Sequence, residues 1–185
     1  TSEIARLIPH RWPFLLVDRI VEEDRSRGYI RGEKGVTASE WFFQGHFPQM
    51  PVMPGVLIIE AMAQTAGVQV LSTIPDRGSK LVLLASVEEA KFRKPVRPGD
   101  QLVITMTLVK RKATLAKMTG VAKVDGEVVA EARPARGRAR APGADRSRHA
   151  QRAPRGRRHP GAGGALEPDQ HRVPLLRDAV LVRLE

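Results

Sequence analysis

Two side chains in the stretch GHFPQMPVMPGVLIIEAMAQ, Gly45 to Gln64, are of types that move protons: His46 and Glu60. Histidine is the usual general base near neutral pH. Glu60 stands inside VLIIEAMA, where a carboxylate is costly unless paired, hydrogen-bonded or protonated. Burial there is expected to raise its pKa, which suits a proton donor. Pro54 has no N–H, so Gly55 and Val56 offer the first free backbone donors of the segment that follows. They lie at the positive end of a helix dipole, and Gly55 has no side chain to block approach. Such donors stabilise an oxyanion. Base, acid and oxyanion donor together suit removal of a proton α to a carbonyl with loss of a β-hydroxyl. Plainer readings stay open: His46 as a residue of a proline-rich loop, and Glu60 as the partner of an arginine. His10, in IPHRWPF, reads as a structural or loop residue. His149, His159 and His171 lack metal-ligand spacing and have no cysteine nearby, so no metal site is expected.

These residues need a helix and a sheet to hold them. Pro54 fits the first helical position, and GVLIIEAMAQTAGVQVLS has the length of an ordinary helix. Its apolar residues lie on nearly all sides, the mark of a buried helix. Glu60 and Gln64, four apart, share a face. Strands are expected in FLLVDRIV (Phe14–Val21), in GYIRGEKGVT as its partner, and in the first half of KLVLLASVEEAKF. QLVITMTLV alternates, with Leu102, Ile104, Met106 and Leu108 on one face. Asp125-Gly126 signals a hairpin between TLAKMTGVAKV and EVVAEA. Met50, Met53 and Met62 read as gap-filling apolar residues. The class is α+β, with one helix against a mostly antiparallel sheet.

The chain of 185 residues suits one domain with a real core and is marginal for two. It has no cysteine, hence no disulfide framework or thiolate chemistry. Its N-terminus lacks signal-peptide features. Its longest apolar stretch, Val56–Leu71, reads as too short and too polar for a membrane span. A soluble cytoplasmic protein without membrane contact is expected. The net charge of +11 is unevenly spread. All eight lysines precede Ala132, and residues 133–185 hold 13 arginines and no lysine. That change places a boundary near Ala132.

IPHRWPFLLVDRI, FFQGHFPQMPVMPGVLIIEAMAQTAG and KFRKPVRPGDQL together closely resemble the FabZ-type (3R)-hydroxyacyl-[acyl carrier protein] dehydratases, over Ile8 to about Ala132. The resemblance implies a hot-dog fold, a long central helix wrapped by an antiparallel β-sheet, over residues 1–132. It implies dehydration of (3R)-3-hydroxyacyl chains on acyl carrier protein to trans-2-enoyl chains in type II fatty acid synthesis, with no cofactor and no metal. It puts the catalytic pair on His46 and Glu60, supplied by opposite subunits of a homodimer, with a trimer of dimers as the common assembly. It also implies an acyl tunnel along the helix and a thioester carbonyl held by the N–H of Gly55, with that of Val56. The glutamate, where the related dehydratase/isomerases carry aspartate, implies the plain dehydratase. The carrier protein is acidic, so a basic rim is expected to guide it. Among Lys91, Arg93, Lys94 and Arg97, the docking residues expected are Arg93 and Lys94; the alternative is a solvated strand end.

After VDGEVVAEA the resemblance stops. Residues 133–185 turn to Arg, Ala, Gly and Pro without periodicity, a composition that does not fold alone. The final VPLLRDAVLVRLE is apolar enough to dock. The last strand is expected to be cut short near Ala132. Two origins compete for the tail: a basic extension that binds nucleic acid or an acidic surface, and a reading-frame shift in a GC-rich gene. The abrupt loss of lysine favours the shift, so no nucleic-acid partner is expected. A hot-dog thioesterase is the alternative chemistry for the body.

Overall fold

The apolar run after Pro54 forms one helix, and the elements around it are arranged to cover it. The computed structural model describes residues 2–75, 77, 80–133 and 180–184. The chain divides into two units, Thr1–Ala135 with Arg177–Glu185, and Arg136–Leu176. Only the first contains described residues, so most of the expected tail lies outside them. The elements are α1 (Ser2–Leu7), β1 (Arg19–Asp24), β2 (Tyr29–Gly35), a 3-10 turn (Trp41–Gln44), α2 (Gly55–Ser72), β3 (Val82–Ser86), β4 (Glu89–Phe92), β5 (Gln101–Lys112), β6 (Leu115–Val124), β7 (Glu127–Arg133) and β8 (Val180–Leu184).

From Leu57 to Ser72 every residue of α2 except Glu60 is buried. The helix touches β2, β3, β5, β6, β7, β8 and α1, so the sheet wraps it. Pro54 stands one place before the expected first helical position. Its ψ of 129° is extended, and its carbonyl accepts from the N–H of Leu57 and Ile58.

All strand pairs are antiparallel, in the order β1-β2-β5-β6-β7-β4, with β8 joining β3 to β6. The alternation in β5 is as expected: Leu102, Ile104 and Met106 are fully buried beneath α2. Asp125 and Gly126, at φ 50° and 80°, make the two-residue turn that pairs Val124 with Glu127. Positive φ at both positions matches the strand twist, and glycine reaches it without strain. The expected strand Phe14–Val21 is shifted: β1 starts at Arg19. The Leu16 N–H is bonded instead to Gln64 Oε1 at 2.8 Å. An apolar, buried segment thus finds its hydrogen bond on a helix side chain rather than in the ladder.

The sheet is not left incomplete after β7. Gly120 of β6 faces Ala132 of β7, and two residues on, Met118 faces Val180 of β8. Along β6, β8 therefore occupies the row in which β7 stops. On the outer side β4 pairs with β7 and β3 with β8, so the same succession is repeated. Val182 of β8 is fully buried. Val182→Asp would bury an unpaired carboxylate in this row. The expected cost is on the order of 2–4 kcal/mol, seen as a fall in Tm of at least about 5 °C by calorimetry. An unchanged Tm would show that β8 is not docked there.

Candidate active site

His46 follows the 3-10 turn, and its loop is tied at both ends. Its N–H donates to Phe42 O at 2.9 Å, its carbonyl accepts from the Val52 N–H at 3.0 Å, and the Met53 N–H reaches Val96 O. The ring Nδ1 lies 2.7 Å from Val52 O. A carbonyl can only accept, so Nδ1 carries the hydrogen and Nε2 keeps the basic lone pair. This is the tautomer a general base needs. The ring also stacks on Phe47, with centroids 4.2 Å apart.

His46 lines a cavity of about 540 Å³ with Gly55, Val56, Phe92, Arg93 and Lys94. The helix start has no side-chain cap, and Leu57 is the first residue of α2 whose N–H reaches the Pro54 carbonyl. The Gly55 and Val56 N–H groups thus belong to the orphan donors of the first turn. A Cβ at Gly55 would lie 2.7 Å from the Phe92 ring. Glycine there is a requirement of packing as well as of access.

Glu60 lines a different cavity, of about 150 Å³, with His10, Ala63, Gln64, Gly67, Leu84 and Val182. Glu60, Ala63, Gln64 and Gly67 follow the i, i+3, i+4, i+7 spacing of one helical face. Gln64 is fully engaged: its Nε2 donates to Glu60 Oε1 at 3.0 Å and to Phe14 O at 2.8 Å, while its Oε1 accepts from Leu16. The shared face expected for Glu60 and Gln64 is therefore a direct hydrogen bond. His46 and Glu60 are not joined by a hydrogen bond or ion pair in this subunit; each stands in its own cavity.

His10 corrects the expectation for Glu60. It is not a bystander: its Nε2 lies 3.4 Å from Glu60 Oε1. That hydrogen bond, the largest influence, holds the Glu60 pKa below its ordinary value; burial opposes it, and the Gln64 hydrogen bond and His10 charge reinforce it. The rise expected from burial is overcome because the carboxylate is not naked. A depressed folded pKa stabilises the fold above the unfolded value, near 4.5. That contribution is lost as pH falls through the lower folded value. Sequence spacing gave no signal for His10, since 50 residues separate it from Glu60; only the fold brings them together.

Arg93 and Lys94 are exposed at the rim of the His46 cavity. Both are ion-paired, Arg93 to the buried Glu131 and Lys94 to the exposed Glu127. Arg93 therefore also neutralises a carboxylate inside the sheet, whereas the Lys94 pair is a surface contact of small worth. Of the methionines, Met53 and Met62 fill the core as expected, but Met50 is exposed. Among the described residues, no group of three or more His, Cys, Asp or Glu stands close enough to hold a metal ion.

The comparisons with known proteins agree with this fold. The family described as the FabA-like domain matches residues 8–133. The dehydratase heterocomplex ApeI:P of Xenorhabdus doucetiae superposes with a TM-score of 0.58 at 20% identity, covering 70% of this chain and 86% of that one. Its likeness is one of fold. The protein is thus an α+β hot-dog domain of the FabA-like class. More narrowly, it is 62% identical over 131 residues to the 3-hydroxyacyl-[acyl-carrier-protein] dehydratase FabZ of Solibacter usitatus, covering 71% of this chain and 80% of the relative. It is 50% identical to FabZ of Bacillus subtilis, covering 71% and 92%. The chain belongs to the FabZ family of 3-hydroxyacyl-[acyl-carrier-protein] dehydratases, hydro-lyases of fatty acid biosynthesis.

The Phe92 contact gives a test of the helix start. Gly55→Ala should displace the ring or the first turn, costing about 1–3 kcal/mol and lowering both Tm and turnover. Adding Phe92→Ala should recover most of the Tm. If the double variant is no more stable than Gly55→Ala, the ring does not set the position of the helix start.

Proposed function

We propose that this chain dehydrates 3-hydroxyacyl chains on acyl carrier protein through composite sites, each taking His46 from one subunit and Glu60 from its partner. One observation carries the reading: base and oxyanion donors line one cavity, and the acid lines another. Neither cavity alone holds a complete set. A two-fold partner that brings the two cavities together makes two equivalent sites. The strand β3 supports such a partner. Among the described residues β8 is its one sheet neighbour, and Leu83 and Leu84 within it, with Leu81 and Val87 flanking it, are exposed. An apolar edge of this kind is suited to a second copy of the chain. We take the dimer as the active unit and a trimer of dimers as the full assembly.

In the reaction, the Gly55 and Val56 N–H groups receive the thioester carbonyl. Nε2 of His46 removes a proton from C2, and charge builds on the carbonyl oxygen. The C3–O bond breaks, and Glu60 protonates the departing hydroxyl directly or through a water. One proton is taken at C2 by His46 and one is given at C3 by Glu60; return of the His46 proton to Glu60, directly or through water, resets the pair, so water is the only other product. The acyl chain runs along α2 past Ala63, with only a methyl group, and Gly67, with no side chain, both of which line the Glu60 cavity. With α2 enclosed by the sheet, we read the protein as a soluble cytoplasmic enzyme.

His46→Ala and Glu60→Gln should each lower dehydration by roughly 10²–10⁴-fold with folding retained. Mass spectrometry of the carrier-linked product should show loss of water in the wild-type reaction. Release of free acid and thiol instead would favour a thioesterase. Near wild-type turnover by Glu60→Gln would sink the acid assignment.

For the rim, Lys94 is the cleaner probe because Arg93 also serves Glu131. Lys94→Glu should raise KM for carrier-linked substrate, and added salt should narrow the gap to wild type. Small thioester substrates should be little affected. Equal losses on both substrate kinds would assign Lys94 to the fold rather than to docking.

A further inference from the structure

The two contacts on Glu60 fall on the same oxygen. His10 Nε2 lies 3.4 Å from Oε1 and Gln64 Nε2 lies 3.0 Å from it. Among the described residues no hydrogen bond reaches Oε2. An oxygen that accepts from Gln64 and lies against the His10 Nε2 is a poor place for a proton, and the other oxygen is left for it. We propose that His10 is a positioning residue for Glu60: with Gln64 it occupies Oε1, fixes the plane of the carboxyl, and leaves Oε2 to take up and hand on the proton of the dehydration. This rests on the reading of Glu60 as the acid.

The seat of His10 supports a fixed donor. Its ring stacks on Phe14, with centroids 6.3 Å apart and planes within 20°. Its carbonyl accepts from Arg11 Nη1 at 2.8 Å. Gln64 holds the same loop through Phe14 O and the Leu16 N–H. The buried Nδ1 of His10 has no partner. A hydrogen on Nδ1 would be stranded there, whereas a hydrogen on Nε2 meets a carboxylate, so the Nε2–H form is the one this seat satisfies. The imidazole is therefore presented as a donor along one line. His10, from the loop between α1 and β1, is the one other ionisable residue lining the Glu60 cavity. Gln64 on α2 supplies an amide, and β3 and β8 supply Val82, Leu83, Leu84 and Val182.

The test uses the full chain with His10→Ala, His10→Gln and Glu60→Gln. A glutamine can place its Nε2–H near the point that His10 Nε2 occupies. Three quantities are measured: kcat and KM on a 3-hydroxyacyl thioester, Tm, and the titration of the Glu60 carboxyl by carbon NMR, assigned by its loss in Glu60→Gln. His10→Ala should lower kcat by about 10-fold or more, leave KM nearly unchanged, and move the Glu60 titration to higher pH. His10→Gln should restore most of kcat and part of the titration shift. An unchanged kcat and titration in a folded His10→Ala protein would overturn the proposal. So would a kcat loss that merely follows Tm, with His10→Gln no better than His10→Ala. Wild-type turnover by Glu60→Gln would remove the acid assignment itself, and His10 would fall with it for that separate reason.

Discussion

The molecule is organised around the burial of a helix that is apolar on every side. Such a helix gains from losing water over its whole surface, not along one stripe. A flat sheet covers only one side of it, so the strands must curve around it, and β5 and β6 supply the long middle of that wrap. Every residue from Leu57 to Ser72 then leaves solvent except Glu60. The polar groups taken along need partners inside. Gln64 finds three, Thr65 returns its hydroxyl to Ala61 O, and Ser72 bonds to Glu23, whereas the buried Gln69 side-chain amide has no hydrogen-bond partner among the described residues. The carboxyl that remains partly open is the one proposed as the acid.

Much of this was legible in the sequence because it is local. The length of α2, the inward face of β5 and the Asp125-Gly126 turn each follow from a few adjacent residues. The features missed are set by contacts between distant segments. The stretch Phe14–Asp18 has the composition of a strand, yet its backbone is tied to Gln64, 48 residues beyond Leu16. The short helix α1 was not foreseen, because its fixing residues Ile4 and Ile8 gain their burial only from the packed core. The role of β8 was visible only as an apolar segment able to dock; its register needs Met118 and Val180 side by side. At the site, His46 and Glu60 are proposed as the catalytic pair from their setting in the sequence and from family resemblance. The pKa direction of Glu60 was misjudged because burial was weighed without the hydrogen bonds that burial brought with it.

The charges near the His46 cavity serve two ends. Arg93 answers the buried Glu131, a pairing the sheet needs, since a carboxylate left alone there would be costly. Lys94 meets an exposed carboxylate in a contact that water and salt weaken easily. An acidic partner could therefore recruit Lys94 at little cost to the fold. The same rim sits beside the orphan N–H groups of α2, so the positive end of the helix and the basic side chains favour the same sign of charge.

The central claim is that a working site needs His46 from one subunit and Glu60 from another. Subunit mixing tests it most directly. Inactive His46→Ala and inactive Glu60→Gln proteins are combined under conditions where exchange is verified by native mass spectrometry. Each mixed dimer should hold one intact composite site and one doubly altered site. Activity should therefore return, to as much as about half of wild type per mixed dimer. Verified mixed dimers that remain inactive would contradict the shared site.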